Sequence, residues 1–321
     1  MLLLLLAIGA LRFDHFLTPA NLSNLPADYA FVTIAAVGAT FVILSGGIDL
    51  SVGSLVAFTA VLAAHLIAAG WHPLAAAGVC LLIGTTLGAA MGGLIVAFDL
   101  PPFMVTLAGM FGLRAAAFLV RDQSVGVSHP FLAALARDGV LRLPGGFEAP
   151  PRSTLMLAVL LAGWALAART RFGRGVYALG GHERSARMMG VPIGFTKVRV
   201  YALAGACSTL AGIVLMFDTR SGNPAAGAGL ELAVIASVVV GGTLLSGGVG
   251  SVLGTLIGVL ILGAIRMLID FEGTLSAAWT SIATGVLLLT FVALQRALIV
   301  WAGWRAQAAA ASGTWTRRVE V

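Results

Sequence analysis

Charge is scarce in this chain. Only 10% of its 321 residues are charged, whereas charged residues make up about 25% of a typical soluble domain. Lysine occurs once, at Lys197, outside any glycine-rich phosphate-binding pattern. The first shortage excludes an ordinary soluble core, and the second excludes ATP hydrolysis by this chain through a phosphate-binding loop.

Residues for metal, disulfide and acid–base chemistry are few and dispersed. The two cysteines, Cys80 and Cys207, lie in separate apolar segments, and the five histidines are scattered along the chain. Neither spacing predicts a disulfide framework or a metal site. A membrane-embedded enzyme would need a cluster of His, Asp and Glu, and the sequence shows none. We therefore expect no catalytic residues, no metal and no cofactor.

What the chain has in abundance is apolar sequence, with 59% hydrophobic residues and a mean hydropathy of +1.02. A helix needs about 20 apolar residues to cross a membrane. The sequence therefore predicts an all-α polytopic membrane protein with about ten transmembrane helices and broken or re-entrant segments near 45–53 and 246–250. The predicted spans are 1–17, 28–45, 52–70, 73–97, 102–120, 154–168, 197–217, 231–247, 249–269 and 277–300.

These spans form one predicted transmembrane domain, residues 1–304, followed by a C-terminal tail, residues 305–321. Residues 1–17 are interpreted as a first span because the apolar run lacks the basic start of a signal peptide. A cleaved signal peptide is the alternative.

The basic residues predict the orientation, because cytoplasmic loops of membrane proteins are enriched in Lys and Arg. Segment 169–199 carries seven basic residues and one acidic residue, and the tail 305–321 carries three arginines. We expect both to be cytoplasmic, with loops 121–153 and 270–276 outside, so that both termini lie in the cytoplasm. The net charge of +6 then reflects membrane topology, and no nucleic-acid partner is expected.

Two matching polar blocks interrupt the apolar sequence. Leu-Ser-Gly-Gly occurs at 44–47, followed by Asp49, and again at 245–248. The surrounding segments, 34–47 and 235–248, align without a gap, which indicates an internal repeat; chance in a composition rich in Ala, Val, Leu and Gly is the alternative. Polar groups at membrane depth are costly and are kept mainly where they line a pathway or a packed bundle.

Seven residues are therefore candidates for a pathway or gate. Asp49 has a structural alternative, because an acidic residue before an apolar run commonly caps a helix. The candidates are Ser45, Asp49, Ser51, Thr106, Arg114, Asn223 and Ser246.

Glycine recurs every four residues in two places, a spacing that puts it on one helix face and permits close packing. The two glycine ladders are Gly84, Gly88 and Gly92, and Gly250, Gly254 and Gly258.

Three segments together resemble the permease subunits of bacterial ATP-binding-cassette sugar importers, in the ribose, xylose and galactose branch. The first reads Phe-Val-Ile-Leu-Ser-Gly-Gly-Ile-Asp-Leu-Ser-Val-Gly-Ser over 41–54. The second reads Pro-Pro-Phe-Met-Val-Thr-Leu-Ala-Gly-Met over 101–110, and the third spans 170–191. Segments 241–250 and 271–276 look closest to a permease of a galactofuranose importer. His182 departs from the pattern, which usually has Asn there.

The resemblance implies a transport subunit of the bacterial inner membrane that moves a neutral monosaccharide, either a hexose such as galactofuranose or a pentose, into the cytoplasm. It also implies four partners: a twin-cassette ATPase that hydrolyses ATP on a separate chain, a second permease of the same or a related chain, a periplasmic sugar-binding protein, and the lipid membrane.

The resemblance further implies that the basic segment 169–196 couples the chain to the ATPase through a short helix. A solvated basic loop is the alternative. Met188 and Met189 would offer an adaptable apolar contact. The coupling candidates are Gly180, Gly181, Glu183, Arg184, Arg187, Met188, Met189 and Gly190.

A different class of function stays open, an ion- or proton-coupled secondary transporter of small polar solutes. Such a carrier would need more ionisable groups at membrane depth than Asp49 supplies.

Overall fold

The computed structural model describes residues 1–143, 147–273 and 278–311, and the fold is predominantly helical, as the sequence predicts. The predicted features at 274–276 and 312–321, which include two of the three tail arginines, lie outside the described residues. The helices are α1 (Leu2–Arg12), α2 (Pro19–Asp28), α3 (Ala30–Leu44), α4 (Val52–Ala68), α5 (Pro73–Ala97), α6 (Pro102–Val120), α7 (Pro130–Asp138), α8 (Pro151–Arg169), α9 (Arg171–Gly181), α10 (Glu183–Met188), α11 (Ile193–Thr219), α12 (Leu230–Val240), α13 (Val252–Glu272) and α14 (Ala278–Ala311).

Four short strands make two antiparallel pairs in the loops. β1 (Val125–Gly126) pairs with β4 (Ser221–Gly222), which ties the loop after α6 to the end of α11. β2 (Leu141–Leu143) pairs with β3 (Phe147–Ala149).

Within the described residues, five helices, α5, α6, α8, α11 and α13, are long and apolar enough to cross a membrane. Helices α2 and α3, bent by 46° relative to each other, form a sixth such span if the pair is counted as one. The predicted spans 1–17 and 231–247 correspond to helices α1 and α12, each of 11 residues. An 11-residue helix rises about 16 Å, roughly half of a hydrocarbon core about 30 Å thick. Helix α12, which has described chain on both sides, is therefore a half-span, and the hydropathy of the sequence does not distinguish it from a full span.

The two halves of the predicted repeat run in the same direction. Near the end of α3, the hydroxyls of Thr40 and Thr255 form a hydrogen bond of 2.8 Å at the start of α13. At the start of α3, Tyr29 lies beside Gly263, further along α13. Helices α3 and α13 are therefore antiparallel. Helix α12 is antiparallel to α13 as well, because Ser237 faces Gly258 and Gly241 faces Gly254. Both copies thus point to the same end of the bundle.

The first glycine ladder brings α5 and α11 together. A methyl group on Gly92 would lie 2.9 Å from the Val198 Cα, and one on Gly88 would lie 3.2 Å from the Gly205 Cα. The second ladder is shorter than predicted. Gly254 and Gly258 face α12, but Gly250 precedes the start of α13 at Val252 and lies in the preceding turn.

The two ends of the bundle carry different charges. Arg152, at the start of α8, pairs with Asp28 at 3.2 Å and with Asp218, near the end of α11, at 3.0 Å. We call this the ion-pair end. Helix α8 leads away from Arg152 to the opposite end of the bundle, which holds α9, α10 and the start of α11. These helices carry most of the seven basic residues of segment 169–199, so we call this the arginine end.

The predicted domain boundary at residue 304 falls inside α14, which continues to Ala311.

Candidate functional site

A partly buried polar turn, residues 45–51, separates α3 from α4. Asp49 is 6% exposed, and its Oδ1 accepts hydrogen bonds from the Ser51 amide at 2.8 Å and the Ser51 hydroxyl at 2.6 Å. Ser51 itself is the N-cap residue of α4, and its side chain makes no capping bond. Asp49 therefore shapes the turn just before the helix, an Asx turn, and does not itself cap α4.

The carbonyl of Ile48 anchors this turn to two neighbouring helices. Thr106 on α6 places its hydroxyl 3.3 Å from the Ile48 oxygen and 3.0 Å from the Pro102 oxygen of its own helix. Tyr201 on α11 donates from its hydroxyl to the same Ile48 oxygen at 3.4 Å. Both partners are buried, whereas the Ile48 side chain is 37% exposed, so the main chain of the turn is anchored to the bundle while this side chain points outward.

The second polar block lies in direct contact with the first. The amide of Gly248 donates to the Leu44 carbonyl at 2.9 Å, which satisfies an oxygen that the end of α3 leaves free. Gly247 has a φ of +85°, and a methyl group on it would lie 2.8 Å from the Gly46 nitrogen. The two Leu-Ser-Gly-Gly turns thus touch through their backbones.

Helix α9 crosses both turns at the arginine end. The ring of Phe172 stacks on the ring of Phe41 of α3, with the two ring centroids 5.9 Å apart. The Tyr177 hydroxyl donates to the Gly250 carbonyl at 2.9 Å. At the far end of α9, Gly180 packs against the main chain of both turns. A methyl group on Gly180 would lie 2.5 Å from the Gly248 nitrogen and closer still to the Leu44 oxygen. Gly180 therefore packs against both turns at once.

The short helix α10 follows α9 and exposes two methionines at its end. Ala186 is fully buried against Leu179 and Ile193, whereas Met188 and Met189 are 76% and 69% exposed. His182 is the N-cap residue of α10, with its Nδ1 3.4 Å from the Ser185 amide. This is the same capping role that Asn commonly plays, so the departure at His182 leaves the local structure intact.

The charges of this segment are partly neutralised. Glu183 pairs with Lys197 at 2.9 Å and with Arg187 at 3.4 Å. Arg184 is exposed. Gly190, at a φ of +79°, allows the sharp turn that leads from α10 toward α11.

The seven pathway candidates fall into three groups. Asp49, Ser51 and Thr106 surround the turn at Ile48. Ser45 and Ser246 flank the contact between the two turns, where Ser45 donates to the Val42 carbonyl at 2.7 Å and Ser246 is exposed. Arg114 and Asn223 belong to a third place.

That third place is the loop before α12. Arg114 donates through one nitrogen to the carbonyls of Pro224 at 2.9 Å and Ala226 at 2.6 Å. Asn223 is exposed, and its side chain accepts from the Ala225 amide at 2.9 Å. Arg114 thus holds the loop that leads into the half-span α12, and the three groups do not line a single surface.

Glu231 is a residue that the sequence analysis did not select. It stands in the first turn of α12, where its Oε1 accepts from the Gly229 amide at 3.2 Å. Its Oε2 is buried, makes no hydrogen bond among the described residues, and points at Gly53 in the first turn of α4. The positive ends of two helix dipoles thus meet at one carboxylate, which they stabilise. The available signal was an acidic residue that opens an otherwise apolar helix.

Comparison with known proteins places the chain among membrane permeases. Residues 21–292 match the family described as branched-chain amino acid transport system / permease component. The chain is 51% identical to the inner membrane ABC transporter permease protein YjfF of Escherichia coli (strain K12), over 90% of this chain and 87% of that protein. No solved structure gives a significant match.

Two further relatives carry a sugar in their names. The chain is 37% identical to the ribose import permease protein RbsC of Escherichia coli (strain K12), over 91% of this chain and 90% of that protein. It is 35% identical to the fructose import permease protein FruG of Bifidobacterium longum (strain NCC 2705), over 94% of this chain and 90% of that protein.

The contact at Gly180 predicts an unequal response at two adjacent glycines. Gly180→Ala places a methyl group against the Leu44 carbonyl, whereas Gly181→Ala meets no atom within 4 Å. Overpacking of this kind costs about 1–3 kcal/mol, so we expect Gly180→Ala to lower the melting temperature of the detergent-purified protein by several degrees. Gly181→Ala gives the same gain in helix propensity and should leave the melting temperature unchanged or slightly raised. Equal melting temperatures for the two variants would contradict the contact.

Proposed function

Because the chain belongs to the branched-chain amino acid transport system / permease component family, we propose that it is the transmembrane subunit of an ATP-binding-cassette importer for a neutral monosaccharide. The chain is a transport component rather than an enzyme, and the energy comes from an ATPase on a separate chain. The observation that carries this proposal is the 51% identity to an ABC transporter permease over 90% of the chain.

A sugar is favoured over an amino acid by two considerations. The two relatives above whose names state a substrate are permeases for ribose and fructose. The buried polar groups around Ile48 are hydroxyls and carbonyls, together with one carboxylate that Ser51 already engages. None of these groups is a cation, so the turn suits the passage of a neutral polyol. Within the sugars, a hexose such as galactofuranose is favoured by the resemblance of segment 241–250, and a pentose by the relative RbsC.

The arginine end is proposed to face the cytoplasm, in accord with the enrichment of Arg and Lys in cytoplasmic loops. Both termini are then cytoplasmic in a multi-pass protein of the inner membrane. The twin-cassette ATPase would dock on α10, and the periplasmic sugar-binding protein would dock at the ion-pair end. A second permease, a copy of this chain or a related one, completes the assembly, and residues 1–304 form its single transmembrane domain.

The two Leu-Ser-Gly-Gly turns are proposed to close the pathway on the cytoplasmic side. They meet through backbone atoms at Gly46 and Gly247, with Gly180 of α9 packed across them. Because α9 leads directly into α10, a displacement of α10 by the ATPase would move Gly180 against both turns. Asp49 and Ser51 would then maintain the shape of the first turn, and the solute would not bind to them directly.

The function is tested by reconstitution of the chain with its ATPase and second permease in proteoliposomes, with the sugar-binding protein added outside. We expect radiolabelled D-ribose or D-galactose to accumulate only when ATP is supplied on the ATPase side. A proton or sodium gradient without ATP should drive no uptake. Uptake driven by an ion gradient through this chain alone would contradict the proposal and support the secondary transporter. A binding assay of the same sugars on the cognate binding protein identifies the substrate.

The exposed methionines of α10 predict the docking contact. Met188→Asp with Met189→Asp places two carboxylates in an apolar interface, and a central interface residue commonly contributes about 2 kcal/mol or more. We expect the affinity for the ATPase to fall at least about tenfold in a detergent pull-down. The matched variant, Met188→Leu with Met189→Leu, keeps apolar side chains of similar volume and should retain binding. Unchanged capture of the ATPase by the aspartate variant would show that α10 does not dock.

A further inference from the structure

A large cavity lies away from the polar turn at Ile48. Its volume is about 820 Å³, and none of residues 45–51 lines it. It is bounded by α3, the loop 226–229, α12, α13 and the first turns of α14. Ligand pockets in proteins commonly enclose about 300–1,000 Å³, so the space accommodates a monosaccharide together with several waters.

One wall of this cavity is charged. Asp28, Tyr29, Arg266 and Asp270 line it, and the same four residues also line a neighbouring cavity of about 210 Å³. Arg266 lies 3.5 Å from Asp270 on the next turn of α13. Asp28 also contacts Arg152, which places this wall at the ion-pair end. The side chains of Asp28, Arg266 and Asp270 are 47–62% exposed, so the wall is a charged entrance to the cavity from that end.

A second polar strip comes from α14. Thr280, Ser281 and Thr284 all line the cavity, and the spacing of Thr280 and Thr284 puts both on one helix face. The Thr284 hydroxyl donates to the Thr280 carbonyl at 2.8 Å. The Thr280 Oγ1 is buried and makes no hydrogen bond among the described residues. A buried hydroxyl of this kind costs free energy unless a ligand or water pairs with it.

The remaining wall is apolar, formed by Phe31, Val32, Leu215, Leu262 and Leu288. A pyranose or furanose ring has the matching character, with hydroxyl groups at its edge and a C–H surface on its face. Carboxylates and threonine hydroxyls can bind the edge, while the aliphatic side chains contact the face.

We propose that this cavity is a binding site for the neutral monosaccharide on its way from the ion-pair end to the two Leu-Ser-Gly-Gly turns. This inference rests on the function proposed above and adds where the sugar is held. The α14 hydroxyls and the Asp28–Arg266–Asp270 wall are the groups that bind it.

A matched pair of threonines on α14 tests the site. Thr284 lines the cavity, whereas Thr290 is exposed and does not line it. Each hydroxyl donates at 2.8 Å to the carbonyl four residues earlier, so Thr→Val removes the same helix-internal bond at both positions. In the reconstituted transporter we expect Thr284→Val to raise the KM for uptake about fivefold or more. Thr290→Val should match the wild type, and an unchanged KM in Thr284→Val overturns the site.

Thiol labelling separates this inference from the proposed function, because it requires no transport. The two native cysteines, Cys80 and Cys207, are buried. In the assembled transporter we expect Thr284→Cys to react with a charged, membrane-impermeant thiosulfonate and Thr290→Cys to resist it. D-Ribose or D-galactose, whichever the wild-type complex takes up, should slow the reaction at Thr284→Cys. Resistance at Thr284→Cys, or a reaction that the transported sugar does not slow, overturns the site. Failure of the wild-type complex to take up either sugar contradicts the proposed function instead, since labelling at Thr284→Cys still reports a water-filled cavity.

Discussion

The architecture depends on a contact in which backbones, not side chains, meet. The end of α3, the turn after α12 and the end of α9 converge, and the Gly248 amide donates to the Leu44 carbonyl at 2.9 Å. Glycines stand on every side of this contact because a methyl group on Gly180 or Gly247 would collide with neighbouring main chain. Protein interiors are close-packed and respond to displacement by switching between discrete arrangements, so segments in such contact are suited to move together. Helix α3, the half-span α12 and the exposed helix α10 are linked through this one point.

Much of this arrangement can be predicted from the sequence, because the residues that specify it lie close together along the chain. Polar blocks at 44–47 and 245–248 contrast with apolar flanks, and the gapless alignment around them indicates an internal repeat, whose two copies run in the same direction in the structure. The ladder at Gly84, Gly88 and Gly92 predicts a close helix pair, and these glycines pack against α11. The family resemblance, carried by motifs along most of the chain, is confirmed by the match over residues 21–292.

The rest could not be predicted, because it depends on which distant segments meet. Hydropathy gives α12 the appearance of a full span, yet the helix ends at Val240, before the glycine-rich turn. In the other copy of the repeat, helix α3 extends five residues beyond the position aligned with Val240, to Leu44. Arg114 binds carbonyls at Pro224 and Ala226, and no periodicity connects residues so far apart. Asp49 is an instructive exception. Its partner, Ser51, is two residues away, so an Asx turn was predictable in place of the helix cap that the apolar run suggests.

The central claim is that the two Leu-Ser-Gly-Gly turns are the closure that must separate for solute to pass. It is tested most directly by Ser45→Cys with Ser246→Cys, joined by a short bifunctional thiosulfonate in the assembled transporter; the native cysteines are buried. The account predicts that cross-linking abolishes ATP-driven sugar uptake, that a reducing agent restores it, and that the ATPase stays bound throughout. Undiminished uptake by the fully cross-linked transporter would contradict it.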